Sequence, residues 1–93
     1  MKIILNKCYG GFGISNEALH LAGITDADEW EYDDLRINPE VIKAVETLGK
    51  DANDRYSNLV VIEIPDTATD WEVEEYDGYE TMIYIVDGKI HHA

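Results

Sequence analysis

Two short stretches of uninterrupted apolar residues, Ile3-Ile4-Leu5 and Leu59-Val60-Val61-Ile62, constrain what this chain can fold into more than any other feature. A strand with one face in water alternates apolar and polar side chains, whereas a strand covered on both faces has no need to alternate. Each stretch therefore reads as a central strand. The first spans Lys2 to Lys7, and the second spans Leu59 to Ile64 and is closed by Pro65. The residues between them hold two helix signatures. Ser15 or Asn16 can cap the first, with Glu17 at its positive end, Ile14, Ala18, Leu21 and Ala22 on one face, and Gly23 as its stop. Asn38-Pro39-Glu40 opens the second with a cap, a proline where a missing N–H costs nothing, and an acid in the first turn. Val41, Ile42, Val45 and Leu48 then share a face, and Gly49 ends the helix.

Two buried-type strands joined through two helices predict a right-handed crossover with the strands parallel. Further along, Trp71-Glu72-Val73-Glu74 alternates as a half-exposed strand would, and Asp87-Gly88 lies between Thr81–Val86 and Lys89–His92. Both positions of a type I′ turn need positive φ, so the Asp-Gly pair predicts a tight hairpin. At 93 residues there is room for one domain over positions 1–93. The expected fold is α/β: a mixed sheet built on a parallel β-α-α-β crossover, helices on at least one face, and a carboxyl-terminal antiparallel hairpin.

Charge narrows the partners. Twenty acidic against seven basic side chains give a formal net charge of −13, which opposes binding to a nucleic-acid backbone or an anionic membrane. The imbalance is uneven. Residues 1–23 carry a balance of +1, residues 24–34 one of −6, residues 35–58 are neutral, and residues 59–93 carry −8. An anion can therefore approach the amino-terminal segment, and a basic protein can approach the rest. No apolar stretch nears the roughly 18 residues of a membrane span, and the opening residues do not read as a signal peptide. A lone cysteine, Cys8, excludes an intrachain disulfide and suits a reducing compartment.

The segment after the first strand is the main functional candidate. Cys8-Tyr9-Gly10-Gly11-Phe12-Gly13 is a turn with three glycines in four positions, followed at once by a helix. Such a turn offers backbone N–H groups to a phosphate or carboxylate, and a Cβ would hold the anion away from them. The expected ligand-binding residues are Lys7, Cys8, Tyr9, Gly10, Gly11, Phe12, Gly13 and Ser15, with Lys7 neutralising charge and Tyr9 and Phe12 stacking on a base. The pattern fits neither a Walker A loop nor Gly-x-Gly-x-x-Gly. A purely structural turn, with Tyr9 and Phe12 in the core, explains the same residues. Cys8 near a helix start, with His20 as base, is the one nucleophile the chain offers. As a small core residue it needs no chemistry. His91-His92 point to opposite strand faces, which does not suit a shared metal, and the carboxylates of Asp70 to Glu80 lack calcium-loop spacing. They suit a sheet edge guarded by charge.

With these residues in place, the chain resembles a family of small uncharacterised bacteriophage and viral proteins. The likeness lies in Asn6 to Ser15, where leucine is more familiar at Ile14, in the helix Val41 to Gly49, and in Val61 to Asp66 with Trp71 to Gly78. The resemblance implies a viral protein in the host cytoplasm and brings no activity or residue role with it. Together with the small size it directs the expectation toward binding rather than catalysis, with no cofactor. The first expectation is sequestration of a phosphorylated small molecule, a nucleotide immune signal, at the Gly-rich loop. The alternative is an acidic inhibitor of a basic host nucleic-acid-binding or defence protein, using Trp30, Tyr32, Trp71, Tyr76 and Tyr79 among the acids. The exposed hairpin also leaves room for a homo-oligomer.

Overall fold

The computed structural model describes residues 1–93. β1 (Lys2–Asn6) is followed by α1 (Asn16–Leu21), a 3-10 turn at Ala27–Glu29, α2 (Tyr32–Ile37), α3 (Pro39–Leu48) and a second 3-10 turn at Gly49–Ala52. Then come β2 (Leu59–Glu63), β3 (Asp70–Tyr76), β4 (Tyr79–Val86) and β5 (Lys89–His92). The class is α/β, but the strands form two sheets rather than one: the pair β1-β2 and the meander β3-β4-β5.

The expected parallel crossover is not what forms. β1 and β2 pair antiparallel, Ile3 opposite Ile62 and Leu5 opposite Val60. The lack of alternation that suggested a parallel sheet has a different cause. Ile4 and Leu59 face the helices, packing with Ala18, Leu35, Val41, Ile42, Val45 and Ala52. Ile3 and Leu5 face the other way, onto Ile64 and Met82, with Val60, Ile62, Trp71, Val73 and Tyr84 around them. The β1-β2 ribbon is thus the middle of three layers, helices on one side and the meander on the other. A ribbon covered twice is apolar on both faces whatever its strand direction.

Local signals held where the chemistry was local. Ser15 caps α1 by accepting from the Ala18 N–H at 3.1 Å, and Asn38 caps α3 by accepting from Glu40 and Val41 at 2.9 and 3.1 Å. Asp87 and Gly88 both take positive φ, 53° and 75°, as the tight hairpin requires. Asp77-Gly78, at 50° and 89°, makes a second turn of the same kind between β3 and β4. The amino-terminal ammonium bonds to the Ile64 carbonyl at 2.8 Å and to Asp66 at 2.6 Å, holding that exposed carboxyl below its usual pKa. No helix is long and apolar enough to cross a membrane.

Candidate functional site

The Gly-rich segment is organised by Asn6, the fully buried last residue of β1. Its Nδ2 donates to the carbonyls of Cys8 (2.8 Å) and Gly78 (2.7 Å), and its Oδ1 accepts from the Asn58 N–H (2.7 Å). One side chain thereby gathers three segments: the loop after β1, the return into β2, and the tip of the β3-β4 hairpin. The glycines answer to this convergence. A Cβ on Gly10 would sit 1.7 Å from the Tyr56 carbonyl oxygen, one on Gly13 the same distance from Asp54, and one on Gly78 2.4 Å from the Gly11 nitrogen. At Gly10 and Gly78 the obstacle is backbone and only hydrogen fits, whereas at Gly13 the Asp54 carboxylate would have to swing aside. Gly11 has open space but a φ of 103°, so its requirement is conformational.

Beneath the loop lies a buried ion pair. Arg36, on α2, donates Nη1 and Nη2 to the two carboxylate oxygens of Glu80, on β4, at 2.7 and 2.6 Å. The same guanidinium donates to the Ile4 carbonyl (3.1 Å) and to Asp33 (3.1 Å), and Glu80 also accepts the Asn6 N–H (2.8 Å). Both side chains are almost wholly buried, at 4% and 5% exposure. Every polar atom they bring inside has a partner, which is what makes a buried charge tolerable. The guanidinium also lies 4.2 Å from the centre of the Phe12 ring, which tilts against Tyr32 at 5.2 Å.

Above this pair opens a groove of about 890 Å³. Phe12, Trp30 and Tyr32 give it an aromatic wall, and Gly10, Gly11 and Gly78 form its floor. Glu31, Asp33, Glu72 and Glu75 also line it, with the buried Glu80 at its base and Arg36 as the only cation. Because Arg36 is already engaged by Glu80 and Asp33, the groove keeps an excess of negative charge.

The expected ligand-binding residues divide between two sides of the loop. Gly10, Gly11 and Phe12 line the groove. On another side, the Lys7 ammonium sits 5.2 Å from the Tyr79 ring centre, and Tyr9, 70% exposed, tilts against the same ring at 5.5 Å. Tyr9 is thus no core residue. Ser15 is occupied by the fold, capping α1 and donating to the Asp51 carbonyl at 2.7 Å. The Cys8 thiol points to the Tyr56 carbonyl at 3.0 Å and to Asn6 Oδ1 at 3.4 Å rather than to His20. The N–H groups of Tyr9 through Gly13 donate to no group of the protein. α1 is only six residues long, so its dipole adds little to them.

Sequence reasoning missed Asn6, Arg36 and Glu80 as organisers. Arg36 stands in a stretch of balanced charge, and Glu80 is one of many acids. Nothing in the local pattern marks either as buried. No family model, curated protein or solved structure matches the chain.

Proposed function

We propose that the protein is a non-catalytic binding protein whose acidic, aromatic-walled groove takes up a basic segment of a partner protein. In the viral setting implied by the resemblance, the partner is a host nucleic-acid-binding or defence protein. The observation that carries this reading is the lining of the groove, where Glu31, Glu72 and Glu75 stand beside Phe12, Trp30 and Tyr32 with no free cation among them. Lysine and arginine side chains are attracted by carboxylates and by aromatic faces alike. Calorimetric titration with an arginine-rich peptide tests it. Binding is expected to weaken steeply with salt and to fall about tenfold or more when Glu31, Glu72 and Glu75 are changed together to Gln, a loss of roughly 1.4 kcal/mol or more. Salt-independent binding, or binding unchanged in the triple variant, overturns it.

A second reading, sequestration of a phosphorylated small molecule, draws on the internally unpaired amides of Tyr9 to Gly13 and on Lys7 beside them. The nearby carboxylates oppose an anion in the groove itself, so such a ligand would sit on the Lys7–Tyr9 side. Lys7→Glu, which leaves the packed glycines untouched, distinguishes the two: it abolishes nucleotide binding and leaves the arginine-rich peptide bound.

A further inference from the structure

We infer that the outer edge of β5 is a self-association surface, on which a second copy of this chain pairs antiparallel to extend the three-stranded meander into a six-stranded sheet. The inference is independent of the groove and its ligand.

The meander has two edges, and they are treated differently. β3, at one edge, carries Asp70, Glu72, Glu74 and Glu75, the charge that keeps strand edges from pairing with one another. β5, at the other, reads Lys89-Ile90-His91-His92, has no acid, and is exposed along its whole length. In a chain of net charge −13, two copies repel wherever carboxylates face each other. β5 is the one strand of the meander where they do not. A basic partner meets Lys89 there and finds no carboxylate to pair with, while a second copy meets no carboxylate on this strand to repel it.

The backbone on this edge is suitably arranged. Met82 and Ala93 exchange both of their hydrogen bonds, Met82 N–H to the Ala93 carbonyl at 3.1 Å and Ala93 N–H to the Met82 carbonyl at 2.9 Å. Alternation along an antiparallel ladder then makes Tyr84–His91 and Val86–Lys89 the other bonded pairs. The N–H and C=O groups of Ile90 and His92 consequently point away from β4, toward the open edge. Side chains favour the same axis. Ile85 and Ile90 are cross-strand neighbours on the outer face, Ile83 shares that face, and Ile90 is 63% exposed. A two-fold axis at Ile90 sets each Ile90 against its mate, exchanges their backbone bonds, and joins the two Ile85–Ile90 stripes into one apolar band. His92 then lies opposite Gly88 of the other copy.

So short an interface predicts a weak, concentration-dependent dimer. Sedimentation velocity over a concentration series tests this, with Ile90→Pro as the decisive variant. Proline removes the outward N–H of residue 90 and leaves the bonds to β4 in place, so the fold survives, as circular dichroism checks, while association is expected to weaken at least tenfold. The register has its own readout in a Cys8→Ser background. Bonded antiparallel pairs hold Cα atoms about 5.5 Å apart, within disulfide reach, so Ile90→Cys should oxidise to a covalent dimer and Lys89→Cys should not. A protein monomeric throughout the series, an Ile90→Pro variant that associates like the parent, or equal cross-linking at both positions overturns the inference.

Discussion

Asn6, Arg36 and Glu80 show how much of this molecule depends on a few fully satisfied polar groups. Glu80 accepts three donors, two from Arg36 and one from the Asn6 N–H, so removing Arg36 leaves a carboxylate in the interior with a single partner. Breaking a buried pair from one side costs about 3–5 kcal/mol. Arg36→Met is expected to lose stability in that range by urea denaturation. The double variant Arg36→Met/Glu80→Gln should be less destabilised than Arg36→Met alone, because a neutral amide still accepts from Asn6 and carries no uncompensated charge. A double variant that is the less stable of the two would show that the charge itself is not what the interior fails to tolerate.

Among the elements, α3 holds the best local evidence and the clearest single-residue dependence. The Asn38 side chain accepts from two first-turn amides, and Pro39 leaves no third to satisfy at N1. Asn38→Ala is expected to cost about 1 kcal/mol, with Asn38→Asp close to neutral, as read from thermal melts. The same locality explains which elements were legible in the sequence. The helix caps at Ser15 and Asn38 and the Asp87-Gly88 hairpin depend on residues within four positions of one another, and each stands where the sequence placed it. α2 was not legible, because Tyr32-Asp33-Asp34 at its start reads as an acidic connection. Its helical character comes from Leu35 and Arg36 being drawn into the interior. The direction of β2 was not legible either. Ile3 to Leu5 and Leu59 to Ile62 report that two faces are covered, and they carry no information about whether helices or a second sheet do the covering. At the candidate site the glycines were visible as a turn. Their close contacts with Tyr56 and Asp54, some 40 residues away in sequence, were not.

At the scale of the whole molecule, the charge distribution governs behaviour in solution. A net charge of −13 on so small a chain repels itself, and that repulsion opposes the folded state. Moderate salt screens that repulsion within a Debye length of about 8 Å at physiological ionic strength. The melting temperature is therefore expected to rise between low salt and about 0.15 M sodium chloride, as followed by circular dichroism. A falling melting temperature would mean that the exposed pairs, Lys2 with Glu46 and the amino terminus with Asp66, outweigh the repulsion. The placement of the β1-β2 ribbon between the other two layers bears on synthesis as well. β1 is translated well before its only strand partner, which is complete at residue 63, and the sheet that covers its second face comes later still. Ile3-Ile4-Leu5 therefore stays unshielded in the nascent chain until β2 and then β3 to β5 have followed it, which gives chaperones and proteases their opportunity with this protein.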